Sequence, residues 1–506
     1  MYDMSSDDKW NSYWLEKRMN LFDPKDTKRP IYVIDTPPPF TSGTLHMGHV
    51  LSYTLTDFIA RYKRMKGFNV LYPQGFDTQG FPTEKAVERE YGDSLSREEF
   101  YKKCTEVASA NLKAMKSQMK KLGHSFDERY EYVTMSQEYR AKVQLSLILM
   151  HKKGLVYRDR SPVEWCTTCK SAIAHAETEE RAEDTALAYV NFSVVGSKKK
   201  TLAIATTRPE LLHAVVGVAV NPKDDRFKEL IGKKVKVPIF GNSVEVIADE
   251  KVDTKFGTGA EMVCTFGDKE DREMFYRHKL KYIDSMDEYG KLKNAKQFTG
   301  MKIKDARQSL LNELKIMGAL VKQETITHNV KVHDRCGTEI ELISSIQWFI
   351  KIKEHAKKII ELGNEIKWIP EFTKSYLADW ANYIDWDWII SRNRIFGTPI
   401  PFWYCVRCGE IVAPQKEKLP VNPATETAPL KSCPKCGGKL VGETATCDVW
   451  VDSSITPLVI AGWPDKKELL QIAFPSSLRL QGTEIIRTWA FYTIFRTWVL
   501  ADKKPF

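Results

Sequence analysis

His46 and His49, in "HMGH", stand three residues apart at the start of a helical pattern, behind three prolines and a Thr/Ser pair. A helix N-terminus exposes unpaired N–H groups and carries partial positive charge, so it favours an anion. Residues one turn apart project from the same side, and neutral imidazoles donate hydrogen bonds without the fixed charge of a lysine. Gly48 leaves the backbone open to a flat or bulky ligand. This grouping suits phosphate oxygens whose charge changes during a reaction. Two rings that merely cap the helix are the plainer alternative, and a metal reading lacks a third ligand or a glutamate nearby.

Cysteine supplies the other chemistry-bearing pattern. Six of the ten cysteines form three Cys-x-x-Cys pairs, and His333-x-x-Cys336 makes a potential fourth. In a long chain this is metal spacing rather than a disulfide framework. Cys405, Cys408, Cys433 and Cys436, each pair followed by a glycine (Gly409, Gly437), predict one tetrahedral structural zinc. Cys166, Cys169, His333 and Cys336 predict a second, which would join the two ends of an inserted domain; a pair that no longer binds metal is the alternative. Cys104, Cys264 and Cys447 read as buried thiols.

These groups need a scaffold. "IYVID" (residues 31–35) is β-branched and aromatic, hence a buried strand. From residue 46 to 66 the apolar positions Val50, Leu51, Leu55, Phe58, Ile59 and Tyr62 recur at helical spacing, and Gly67 ends the helix. "NVLYP" (69–73) reads as the next strand. Strand, loop, helix and strand in that order predict a parallel nucleotide-binding sheet. Lys- and Glu-rich helices follow to about residue 155, with "LSLILM" (145–150) in an amphipathic helix. Residues 187–328 are strand-rich and read as an inserted β-domain, closed by "VHDRCGTEIE" (332–341). A helical stretch, a zinc-ribbon-like segment and a return to strand–helix text at Trp450 complete the chain.

At 506 residues several domains are expected. The expected divisions are 1–165 (N-terminal extension and first half of the sheet), 166–345 (insertion with its stalks), 346–446 (connecting helices and ribbon) and 447–506 (start of the second half). The net charge of +10 is compatible with a polyanionic partner without requiring one. No apolar run has bilayer length, and "MYDMSSDDKW" is unlike a leader, so a cytoplasmic location is expected.

"HMGH" after "IYVID" and "PPP" resembles the HIGH signature of class I aminoacyl-tRNA synthetases. The stretch "PPPFTSGTLHMGHVLSYTLTDFIARYKRMKGFNVLYPQGFDTQGFPTE" resembles the archaeal-type valyl-tRNA synthetases. The match continues through "ATTRPELL", "GTGAEMVCTFGD", "ISRNRIFGTPIPFWYC", "DVWVDSSITPL" and "IIRTWAFYTI". The resemblance implies an α/β fold: a class I Rossmann-type parallel sheet, incomplete, with an inserted β-rich editing domain and zinc ribbons. It implies a ligase that joins valine and ATP, with Mg2+, into valyl-adenylate for transfer to tRNA(Val). His46, Gly48 and His49 would hold the triphosphate; Asp77, in "GFDTQG", would take the valine ammonium. Pro37, Trp450, Ile485 and Trp489 match the side-chain pocket, and Glu484 stands where related enzymes carry Asp. Phe40 replaces a small polar residue. In the insertion, Thr206, Thr207 and Arg208 would hold the terminal adenosine and ester of mischarged Thr-tRNA(Val). Asp268 and Asp271 would bind the ammonium and hydroxyl, and Phe256 the base; alternatively the two aspartates only cap a helix at 271–278. Met262 replaces a lysine of bacterial relatives.

No Lys-Met-Ser-Lys-Ser loop or anticodon-binding domain follows in this sequence. A second polypeptide carrying them, docked on a sheet edge after Trp489, is therefore expected. The rival reading is a stand-alone tRNA-binding editing hydrolase without synthetic activity.

Overall fold

The computed structural model describes residues 5–92, 94–197 and 199–506. It has two compact units: Met1–Arg158 together with Trp348–Phe506, and Asp159–Gln347.

In the first unit, strand Ile31–Asp35 is central in a three-stranded parallel sheet, between Asn69–Leu71 and Leu478–Arg479. Its register is Ile31 opposite Asn69 on one side and Asp35 opposite Arg479 on the other. The expected second strand stops at Leu71, short of Pro73, whose ring removes a ladder donor. Among the described residues the sheet's edge strands are Asn69–Leu71 and Leu478–Arg479, and the latter precedes Trp489; Trp489 lies in a π-helical turn, Ile486–Ala490, and is buried.

The helix after the histidines runs Met47–Met65, as the spacing predicts. Its packing face is a surprise. Ala60 joins Ile34, Val70 and Tyr72 in the core, and the buried positions are Tyr53, Thr56, Asp57 and Ala60. Of the apolar positions expected to pack as a stripe, Leu51, Leu55, Phe58 and Tyr62 are 45–61% exposed, while Val50 and Ile59 are half-buried. Asp57 explains the choice of face. Its carboxylate accepts the Ser125 N–H at 2.6 Å, the Ser125 hydroxyl at 2.5 Å and Arg61 Nε at 2.7 Å. A buried carboxylate so fully satisfied fixes the helix's rotation. Helix Gln137–Lys152, expected to be amphipathic, instead buries nearly every side, Arg140 and Gln144 included. Among the described residues no helix is long and apolar enough to cross a membrane.

The second unit is built on a seven-stranded mixed sheet. Its spine is a long antiparallel ladder between Thr178–Val194 and Leu320–His333, with Thr201–Thr206 on the other side of the first of these. Beyond it Val215–Val220 pairs antiparallel with Ala260–Cys264 and parallel with Ser243–Ala248. Val218, Val246 and Val263 are fully buried in its core.

The helix rotation is testable by denaturant unfolding. Asp57→Ala should cost about 3–5 kcal/mol, because it strands buried partners. Phe58→Ser should stay within about 0.5 kcal/mol. Equal losses would show that the stripe, not Asp57, sets the rotation.

Candidate functional site

Strand order reverses at Ile31–Asp35, because its neighbours come from opposite ends of the chain. In an open parallel sheet this switch point leaves a crevice at the strands' carboxyl ends. The loop that leaves Asp35 leads to His46, the N-cap of helix Met47–Met65. The His49 N–H donates to His46 Nδ1 at 3.3 Å, and the His46 N–H donates to His49 Nδ1 at 3.4 Å. The rings stack with centroids 3.7 Å apart. The two rings therefore cap the helix reciprocally. An Nδ1 that accepts leaves the proton on Nε2, so each ring retains one N–H donor. Burial and the neighbouring His46 push the His49 pKa below its ordinary value, which favours the neutral ring.

Asp77 is 3% exposed. Its N–H donates to Pro39 O, and the Thr41 N–H donates to its carbonyl, both at 2.9 Å, which locks it to the proline loop. Thr134 Oγ1 donates to its carboxylate at 3.0 Å. Two glycines flank it by necessity. A Cβ on Gly75 would lie 2.0 Å from the Tyr132 ring, and one on Gly80, at φ +97°, would lie 2.4 Å from Val449. Burial, then the charge of Asp452, raises the Asp77 carboxyl well above the usual range. Asp452 is itself raised to about 7, chiefly by burial.

Pro37 accepts the Tyr53 hydroxyl at 2.6 Å. Trp450 follows the N-cap Asp448, which accepts its N–H at 2.9 Å and is anchored by Arg392 and by Trp388 Nε1, each at 2.9 Å. Trp489 Nε1 donates to Ser453 O at 3.0 Å, tying the second indole to the helix of the first. Ile485 is half-buried on the turn Thr483–Ile485 leading into Trp489, and Glu484 beside it is exposed. Sequence reasoning missed Asp35, Arg479 and Thr134. Arg479 pairs with Asp35 at 2.6 Å and lies 3.4 Å over the Trp489 ring. The first unit thus sets two stacked imidazoles at a helix N-terminus and a buried carboxylate, Asp77, tied to the proline loop and to Thr134.

In the second unit Thr206, Thr207, Arg208, Phe256, Asp268 and Asp271 line one cavity of about 270 Å³. Arg208 donates to Glu210 and to Glu341, each at 2.6 Å, and Arg307 holds Glu210 from the other side at 2.9 Å. Burial alone would lower Arg208, yet Glu341 and Glu210 hold its guanidinium firmly charged. Asp268 caps helix Lys269–Arg277, accepting the Asp271 N–H at 2.8 Å. Asp271 lies inside that helix's first turn, and its carboxylate accepts the Cys264 N–H at 2.9 Å. Burial, then Asp268, raises the Asp271 carboxyl well above the usual range. Phe256 is 50% exposed at the cavity mouth.

Both predicted ligand sets assemble, each with its four donor atoms within 4.8 Å of one another. Sulfur separations are 3.5 Å for Cys166–Cys336 and Cys169–Cys336; His333 Nδ1 is 3.4 Å from Cys169 and 3.2 Å from Cys336. In the ribbon they are 3.5 Å for Cys405–Cys436, 3.6 Å for Cys408–Cys433 and 3.3 Å for Cys408–Cys436. A tetrahedron with metal–sulfur bonds of about 2.3 Å has edges of about 3.8 Å, so both sets fit zinc. His333 Nε2 lies 3.7 Å from the Asp334 carboxylate. Cys104, Cys264 and Cys447 are buried, as expected. Metal analysis should find two zinc ions per chain; Cys433→Ser and Cys336→Ser should each remove one. An unchanged count in Cys336→Ser would overturn the histidine-containing site.

A sequence model of the family described as tRNA synthetases class I (I, L, M and V) matches residues 9–506. Valine–tRNA ligase of Methanocaldococcus jannaschii is 48% identical over 497 residues, covering 97% of this chain and 56% of that protein. Valine–tRNA ligase of Pyrococcus furiosus is 48% identical over 509 residues, covering 98% and 57%. The chain thus spans little more than half the length of these relatives. Among solved structures, the LeuRS (agnB2) of Agrobacterium radiobacter K84, in a ternary complex with tRNA and LeuAMS, matches with a TM-score of 0.53 at 22% identity. That match covers 100% of this chain and 67% of the other, and it supports the fold alone. With a parallel-sheet switch point, a histidine-capped helix and a family match over nearly its whole length, the chain belongs to the class I tRNA synthetases.

Proposed function

We propose that this chain carries the amino-acid activation and editing parts of a valine–tRNA ligase. The observation that carries the reading is the reciprocal cap of His46 and His49, which leaves two neutral N–H donors at a helix's positive end. The relatives' names and 48% identity support valine as the amino acid. The valine carboxylate attacks the α-phosphorus of ATP in line, and pyrophosphate leaves. No protein nucleophile is needed; catalysis is positioning plus stabilisation of charge on the phosphoryl oxygens. His46 and His49 donate to those oxygens. Asp77 takes the valine ammonium, while Pro37, Trp450, Ile485 and Trp489 enclose the branched side chain. The adenylate then acylates tRNA(Val).

An apolar pocket separates valine from threonine by only about a hundredfold, a figure for valine-specific enzymes in general and not one deduced from this cavity. The second unit's cavity supplies hydrolysis of Thr-tRNA(Val), since its polar lining pairs with a hydroxyl that valine lacks. A stand-alone editing hydrolase would have no use for the His46, His49 and Asp77 arrangement. The two metal tetrads are structural zinc sites.

ATP–pyrophosphate exchange with valine tests the reading, in this chain alone and supplemented with the portion of its relatives that it does not span. His46→Ala and His49→Ala should each lower the exchange rate about 10²–10³-fold; an undiminished rate in the double variant would overturn it. Asp77 gives a pH signature. Its carboxyl is raised without ligand, so it sheds a proton when an ammonium binds. Valine should therefore bind more tightly as pH rises from acid to neutral. Asp77→Asn should weaken binding about 10–100-fold and flatten that dependence, read by calorimetry at several pH values.

A further inference from the structure

Met262 cannot titrate, and the cavity's other polar groups are committed to the fold. Asp268 caps a helix, Asp271 holds the Cys264 N–H, Thr206 Oγ1 accepts the Arg208 N–H, and Arg208 is clamped between Glu210 and Glu341. Two carboxylates lining the same cavity differ, Glu270, exposed at the start of the helix, and Glu261, which is half-buried. Glu261 stands on strand Ala260–Cys264, opposite Ala219 of the neighbouring strand. Among the described residues its carboxylate has no hydrogen-bond or ion-pair partner.

We propose that Glu261 is the base that takes the proton from the attacking water in this cavity, a role that rests on the editing reading above. The carboxylate accepts a proton as the water oxygen adds to the ester carbonyl carbon and the carbonyl electron pair moves to its oxygen. Collapse breaks the bond from that carbon to the ribose oxygen, which leaves with the proton returned by Glu261. One water is consumed, and the products are free threonine and a tRNA with its terminal hydroxyl restored.

The surroundings suit the task. Around Glu261 stand Asp268, Glu270 and Asp271 at the start of the adjacent helix, and Asp249 and Asp253 from the loop after Ser243–Ala248. Arg277 and His278 pair with Asp249, His278 at 2.8 Å. Arg208 and His328 also line the cavity; His328 Nε2 lies 3.1 Å from Thr185 Oγ1. Burial first, then Asp268 and Glu270, raises the Glu261 carboxyl to about 7. A base of that strength is ionised in part at neutral pH and holds an abstracted proton long enough to return it.

The test is single-turnover deacylation of Thr-tRNA(Val) by the complete enzyme between pH 5.5 and 8.5. The unaltered enzyme should speed up with pH and level off above about 7, as a raised carboxylate loses its proton. Glu261→Gln should be about 10²–10³-fold slower with no inflection and unchanged tRNA affinity. Formate should restore part of the rate to Glu261→Ala. If the unaltered enzyme leaves Thr-tRNA(Val) intact, the editing reading itself falls. If it deacylates, and Glu261→Gln matches it in rate and pH profile, only the role of Glu261 falls. A slow Glu261→Ala that formate does not rescue would likewise reduce Glu261 to a structural part and overturn the proposal.

Discussion

The parallel sheet of the first unit depends on one buried ion pair, Asp35 with Arg479. The two residues are 444 positions apart in sequence and opposite each other in adjacent strands. Arg479 also donates to Thr493 Oγ1 at 2.9 Å and lies flat over Trp489. Burial raises the Asp35 carboxyl and lowers the Arg479 guanidinium, even though each attracts the other's charge. Desolvation outweighs attraction, so the pair is a poor source of stability. What it supplies is placement. Only one strand register lets the charges meet, and that register puts Trp489 where the guanidinium supports its face.

Arg208 in the other unit shows the opposite electrostatic balance with the same side chain. It faces two carboxylates instead of one, and Arg307 shares the load on Glu210. Its charged state is reinforced where that of Arg479 is weakened. Arg208 therefore acts as a rigid post for the chain that carries Thr206 and Thr207. Its residual contact, to Gly267 O at 3.5 Å, reaches the loop before Asp268.

Legibility in the sequence followed the range of the interaction. The cap at His46, the span of the helix after it and both metal tetrads were readable, because each is written in spacings of three or four residues or in a residue type with few other uses. The rotation of helix Met47–Met65 was not. Its apolar stripe argues for one face, but Asp57 meets Ser125 from 68 residues away, and satisfying a buried carboxylate overrides the stripe. Thr134 and Asp35 were missed for the same reason: their partners come from remote strands. Glu261 carried no local signal either, since nothing in "GAEMVC" distinguishes a cavity-facing glutamate from a solvated one.

The two units handle buried negative charge differently. Around Asp77 the carboxylates of Asp448 and Asp452 repel its ionised form, and the unit answers with arginines that serve other members, Arg392 on Asp448 and Arg140 and Arg496 near Asp452. Under the proposed function an incoming ammonium would supply the missing positive charge. In the second unit the acids crowd an open cavity, where Arg208 is already paired with Glu210 and Glu341 and Arg277 with Asp249. Burial first, then repulsion from Asp268 and Glu270, raises the Glu261 carboxyl there. A surplus of negative charge is thus enclosed in one unit and opens onto a cavity in the other.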